Sequence, residues 1–148
     1  MAQVTSVYRT GGASGLGRCT AYIAAYQGAN VCIGDLNQAQ AQETVDLIKK
    51  AFPQVAVSCQ VCDVTSEQSV DDFVNQAVKT HGSVHGLAHC AGIFSEGKPF
   101  VETTVAMLEK ELKVNGIGTF IPNRAVVRQI HKQRAAGVPD PVGGYSIV

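Results

Sequence analysis

The stretch "TGGASGLG" at residues 10–17 decides how the rest of the sequence is read. It lies between a short run with strand character, "QVTSVY" at 3–8, and a helical segment from Leu16 to Gln27 that Gly28 closes as a C-terminal cap. The glycines follow the spacing Gly11-x-x-x-Gly15-x-Gly17. Without a Cβ, the backbone there can turn sharply and approach a pyrophosphate closely. The helix N-terminus beyond adds free N–H groups and about half a positive charge. The spacing is not G-x-G-x-x-G, and no Gly-Lys-Ser/Thr follows as in a P-loop. It also fails as G-x-S-x-G, because Leu16 stands where the last glycine belongs. Taken alone, it fits a glycine-rich turn without a ligand equally well.

Asp35 shifts that balance. It ends a β-branched run, "NVCIGD" at 30–35, and stands 18 residues after Gly17. About 20 is the separation expected for an acid that accepts the two hydroxyls of an adenosine ribose. A carboxylate there repels a 2′-phosphate by about 1 to 4 kcal/mol at ~4 Å, depending on the local dielectric. No Arg or Lys stands at 36 or 37, where Leu36 and Asn37 are found, and Ser14 within the loop is uncharged. The expected cofactor is therefore NAD rather than NADP. A solvated strand-end aspartate is the alternative.

Beyond this point strands and helices alternate. Ala39 to Ala51 reads as a helix barred from continuing by Pro53, and "VAVSCQV" at 55–61 as a strand. Ser66 opens the clearest helix, in which Val70, Phe73, Val74, Ala77 and Val78 share one face before Gly82. "VHGLAHCAG" at 84–92 is a strand running into a turn. Thr104 to about Gln133 is helical in composition, with Leu108, Leu112, Ile117, Phe120 and Ile121 expected on one side. A loop at 135–144 leads to "YSIV", the start of a fifth strand. Regular succession of this kind predicts a doubly wound α/β domain, a parallel sheet with helices on both faces, occupying residues 1–148. Two features fit it poorly. The first strand should be central and apolar, yet carries Thr5, Ser6 and Arg9. Pro122 falls inside the last helix, where it costs about 3 kcal/mol unless a kink accommodates it.

Composition narrows the function. Lys+Arg and Asp+Glu are both 12, with no block of like charges, which argues against nucleic acid or an anionic membrane as partner. No apolar stretch approaches the ~20 residues of a membrane span, and the N-terminus lacks signal-peptide features, so a cytoplasmic protein is expected. The five cysteines are scattered singly and read as reduced, partly buried thiols. Cys59 and Cys62 have CxxC spacing but no second pair at zinc spacing, so no metal is expected. His81, His85 and His89 recur every fourth residue, but Gly82 and Gly86 interrupt any helix, which places them in loops and strands.

With these motifs in place the sequence resembles the short-chain dehydrogenase/reductase family. "TGGASGLG" is similar to that family's TGxxxGxG cofactor loop, and "GD" at 34–35 to its NAD-selecting acid. "CDVT" at 62–65 resembles the Asp-Val after the third strand, which implies Asp63 near the adenine amino group and Val64 beside the ring. "HCAG" at 89–92 resembles the family's NNAG, with His89 and Cys90 in place of both asparagines. "VNGIGTF" at 114–120 resembles the helix segment whose asparagine belongs to the catalytic tetrad, here Asn115, with the role of holding a water in a proton relay. The cofactor residues implied are Gly11, Ser14, Gly15, Leu16, Gly17, Asp35, Leu36, Asp63, Val64, Cys90, Ala91 and Gly92. The implied reaction moves a hydride between nicotinamide and an alcohol or ketone.

The resemblance also implies a catalytic serine and a Tyr-x-x-x-Lys, and residues 1–148 contain no match to either. The fourth residue after Tyr8, Tyr22 and Tyr26 is Gly12, Tyr26 and Asn30, and Tyr145 is a turn-to-strand residue. The expectation is a Rossmann-type domain cut short after the start of its fifth strand, with cofactor binding but negligible turnover. An exposed strand edge, and dimerisation through long helices of which one is present, predict poor solubility or dependence on a partner. A catalytically dead nucleotide-binding or regulatory remnant is the alternative. An FMN-binding flavodoxin-like domain shares the sheet but leaves Asp35 and Asp63 unexplained. Of the substrate pocket, only residues around Ile93 to Gly97 are expected in this chain.

Overall fold

Five parallel strands form one sheet in the order β3-β2-β1-β4-β5. They are β1 (Ser6–Thr10), β2 (Asn30–Asp35), β3 (Val57–Val61), β4 (Gly86–His89) and β5 (Ser146–Ile147). The computed structural model describes residues 6–94, 97–141 and 143–148. Residues 3–5, expected to begin the first strand, lie outside them, and that strand runs on to Thr10 rather than stopping at 8. The second strand has the expected bounds, while the third and fourth are trimmed to 57–61 and 86–89, shorter than the runs that predicted them.

Helices α1 (Gly15–Tyr26), α2 (Gln38–Ala51) and α3 (Glu67–His81) follow the first three strands. Their caps are local chemistry: the Asn37 side chain accepts the Gln40 amide, and the Ser66 side chain that of Ser69. Alternation along the strands divides the core in two. Val31, Ile33 and Val57 pack with Ala21, Ala25, Val45 and Ile48 under α1 and α2. Tyr8, Cys32 and Leu87 pack on the opposite face with Val70, Phe73, Ile121 and Val126.

The expected helix from 104 to 133 is a composite. It comprises α4 (Val105–Glu111), a widened π turn (Leu112–Ile117) and α5 (Gly118–Ala135). Pro122 is buried in α5. Its ring would crowd the carbonyl of Gly118, which sits where the wide turn ends and donates to the Lys113 carbonyl five residues back. Side chains serve carbonyls around this loosened point: Thr119 Oγ1 donates to Asn115 O at 2.6 Å, and Asn123 Nδ2 to Thr119 O at 2.7 Å. The predicted apolar side is corrected. Leu108, Leu112, Ile117 and Phe120 are exposed, and Ile121 alone of the five is buried. The inward stripe is Gly118, Ile121, Pro122, Ala125, Val126 and Ile130. A Cβ at Gly118 would come within 2.8 Å of Val64 Cγ2, so close packing rather than bulk defines this face.

The histidine expectation is also corrected at His81, which is the last residue of α3 and meets Ser58 Oγ at 2.7 Å. His85, just before β4, is 3% exposed, and its Nδ1 accepts the Ser6 amide at 2.9 Å. Arg9, the misfit of the first strand, is half-buried, and its Nε finds no partner among the described residues. No helix of the described residues is long and apolar enough to cross a membrane.

Candidate functional site

The register of the sheet assembles the site. Thr10 lies level with Gly34 on one side and His89 on the other, and Asp35 with Val61. The segments after β1, β2, β3 and β4 therefore leave the same edge, at the point where strand order reverses between β1 and β4. Such a switch point is where open α/β sheets bind ligands. The ladder continues past the strand ends: Gly11 N–H bonds to Gly34 O at 2.9 Å, Cys62 N–H to Asp35 O at 3.0 Å and Cys90 N–H to Thr10 O at 3.0 Å. Between these segments lies a cleft of about 440 Å³.

Eleven of the predicted cofactor residues line it: Gly11, Ser14, Gly15, Leu16, Gly17, Asp35, Leu36, Val64, Cys90, Ala91 and Gly92. The glycines are required by geometry at two of these positions. Gly11 has φ +67°, and a Cβ on it would stand 2.5 Å from the Ala91 amide nitrogen. A Cβ on Gly17 would stand 1.9 Å from the Gly11 carbonyl oxygen. Ser14 makes no side-chain cap on α1, so the first-turn amides have no partner from that source. Gly15, Leu16 and Gly17, the first turn of α1, line the cleft. A glycine cradle this close, at the N-terminus of a helix that Ser14 does not cap, fits the diphosphate of a dinucleotide.

Asp35 stands beside that cradle and not in the interior. Its Oδ2 accepts the Ala13 amide at 3.0 Å and its Oδ1 the Asn37 amide at 3.0 Å. Each oxygen keeps a further lone pair for a hydroxyl donor. Asp63 is placed differently. It does not line the cleft, although its neighbours Cys62 and Val64 do. Its Oδ1 accepts both the amide and the hydroxyl of Thr65, at 2.9 and 2.8 Å.

Asn115 sits in the widened turn, and its amide clasps the backbone of Ile93. Oδ1 accepts the Ile93 N–H at 2.9 Å and Nδ2 donates to the Ile93 carbonyl at 2.7 Å. Ile93 and Val114 both line the cleft. Ser95 and Glu96, within the expected substrate-side segment, lie outside the described residues.

Cys62 and Val114 are the lining residues that the sequence did not assign to the site, though each adjoins one that it did. Burial, then the charge of Asp63, pushes the Cys62 thiol up to about 12, so it meets the cleft as a neutral, soft apolar surface. The CxxC pair does not act together: Cys59 Sγ donates to Gln42 Oε1 at 3.4 Å, while Cys62 belongs to the core on the other face of the sheet.

The model of the short chain dehydrogenase family matches residues 5–138, and the chain belongs to that family of oxidoreductases. It is similar to a chanoclavine-I dehydrogenase of Penicillium roqueforti, 38% identical over an alignment of 126 residues that covers 80% of this chain and 48% of that protein. A chanoclavine-I dehydrogenase of Arthroderma benhamiae is 32% identical over an alignment of 137 residues that covers 88% of this chain and 56% of the relative. Among solved structures, a short chain dehydrogenase from Mycobacterium smegmatis superposes with a TM-score of 0.82 at 30% identity, covering 88% of this chain and 54% of that one. The chain spans about half the length of the curated relatives it matches.

Proposed function

We propose that these residues form the NAD-binding part of an oxidoreductase that moves a hydride between nicotinamide and an alcohol or ketone carbon. One observation carries the preference for NAD: the Asp35 carboxylate lies at the cleft, held 3.0 Å from the Ala13 amide of the glycine loop. In this reading Gly11, Ser14, Gly15, Leu16 and Gly17 hold the diphosphate. Asp35 and Leu36 take the adenosine ribose and Val64 packs beside the adenine, with Asp63 behind it rather than on the cleft lining, its Oδ1 engaged by Thr65. Cys90, Ala91 and Gly92 follow the cofactor toward its nicotinamide end. The dinucleotide, when bound, supplies the hydride chemistry at nicotinamide C4. Asn115 fixes Ile93 at the cleft wall with one hydrogen bond from each polar atom, and each keeps capacity for one more, enough to hold a water.

Proton transfer is the other half of such a reaction. A tyrosine of pKa ~10 must be stabilised as its anion by about 4 kcal/mol to act near pH 7. An asparagine does not titrate, and residues 1–148 hold no match to Tyr-x-x-x-Lys, so we expect binding without appreciable turnover from these residues alone. Isothermal titration of NAD and NADP into the chain tests the assignment. NAD should bind more tightly, and Asp35→Ala should erase the difference. Equal affinities in the unsubstituted protein, or binding of neither, would defeat it.

A further inference from the structure

Asp35 can discriminate between ribose and ribose phosphate only if its carboxylate is held in place, and the backbone amide of Ala13 is one of the two donors that hold it, Asn37 supplying the other. Ala13 belongs to no helix or strand, so something must fix it. Its amide reaches Asp35 Oδ2, while its carbonyl accepts Arg18 Nε at 2.9 Å and Thr44 Oγ1 at 3.4 Å. Arg18 Nε also donates to Thr44 Oγ1 at 2.9 Å, closing a triangle between loop, α1 and α2. The Thr44 hydroxyl proton faces two carbonyls, Ala13 and Gln40, the latter at 3.2 Å. Thr44 is fully buried beside Ala41, Val45 and Ile48, where an aliphatic side chain would pack without any polar atom to satisfy. The outer end of Arg18 contributes little, since its contacts with Gln40 O at 3.5 Å and Glu43 at 3.4 Å are long and exposed.

We propose that Arg18 and Thr44 are positioning residues for nucleotide selectivity: they fix Ala13 so that its amide keeps the Asp35 carboxylate turned toward the cleft. The inference rests on the assignment of Asp35 to the adenosine ribose. Neither residue lines the cleft itself; both line the groove between α1 and α2. Their effect must therefore pass through Ala13. Freed from them, the Ala13 backbone can turn its amide away, and the carboxylate loses one of its two fixed donors. It then grips the ribose hydroxyls less firmly and can swing from a 2′-phosphate it would otherwise repel.

The test is isothermal titration of NAD and NADP into the whole chain and its Thr44→Val, Thr44→Ser, Arg18→Met and Asp35→Asn variants. Thr44→Val and Arg18→Met should each lower the NAD-to-NADP affinity ratio about fivefold, mainly by weakening NAD. Thr44→Ser, which keeps the hydroxyl, should restore the unsubstituted ratio. Once Asp35→Asn is present, Thr44→Val should change the ratio no further. An unchanged ratio in Thr44→Val, or an equal fall with and without Asp35, overturns the inference and leaves the two residues as packing alone. If Arg18→Met does not fold, the Thr44 pair decides. Absence of any NAD preference in the unsubstituted chain overturns the Asp35 assignment, and this inference with it.

Discussion

The two faces of the sheet are built to different standards. Under α1 and α2 the apolar core is alanine, valine and isoleucine, small and aliphatic, with Thr44 the buried polar residue beside it. Under α3 and α5 it includes Tyr8, Cys32 and Cys62, together with His85 and Gln133 nearby. The first face lets α1 and its glycine loop lie close against β1, so a Cβ at Gly11 or Gly17 has no room. The second carries polar groups that must be answered one by one. Gln133 succeeds, its amide taking both the N–H and the carbonyl of Val84 at 2.8 and 2.9 Å. Tyr8 does not, for its hydroxyl is buried without a partner among the described residues. Close packing on one face and polar bookkeeping on the other fail in different ways when disturbed.

The tightest point of the first face should give the largest effect. Gly17→Ala places a methyl 1.9 Å from a backbone carbonyl that cannot step aside. We expect a loss of about 3 kcal/mol in urea denaturation, the upper end for overpacking, together with no detectable NAD binding. A variant that binds NAD normally would show that the loop yields, and would end the contrast between the faces.

On the second face a substitution should help. Tyr8→Phe removes the unpartnered hydroxyl and keeps the ring against Phe73, whose centroid is 5.9 Å away. Burial, and the neighbouring Cys32, already push the Tyr8 pKa well above the usual phenol value, as a site hostile to charge should. A gain of about 1–2 kcal/mol in the denaturation free energy is expected. A loss would mean that the hydroxyl has found a partner in solution.

The smallest effect is in pH. Burial lowers the pKa of His81, His85 and His89 below the ordinary histidine value. The unfolded chain thus takes up protons first as pH falls. Their contribution to stability is complete above about pH 6.5, declines below it, and is lost once pH has passed the folded values. For His85 the reason is visible, since protonating Nδ1 would remove the acceptor of the Ser6 amide. The urea midpoint should therefore fall between pH 7.5 and 5.5, and a flat profile would show that these imidazoles are better solvated than their burial suggests.

Legibility followed the same division. Gly11, Gly15, Gly17 and Asp35 were readable because backbone geometry and charge repulsion leave marks in spacing and residue type. The sheet was readable from alternation. The inward side of α5 was not, because Gly118, Pro122 and Ala125 interleave with Ile121, Val126 and Ile130 and do not announce a face, while Leu108, Leu112 and Phe120 remain exposed. Arg18 and Thr44 also escaped notice. They are 26 positions apart and look like ordinary polar helix residues until folding brings both to one carbonyl.

The double bond from Asn115 to Ile93 has a mechanical consequence. A side-chain amide that takes both the N–H and the carbonyl of one residue imitates a neighbouring strand, so Ile93 is stitched to the long helix while the sheet ends at His89. Bending or rotating that helix would drag one wall of the cleft along, whereas the opposite wall, rooted in the glycine loop, would stay put. The width of the opening is thereby geared to the helix.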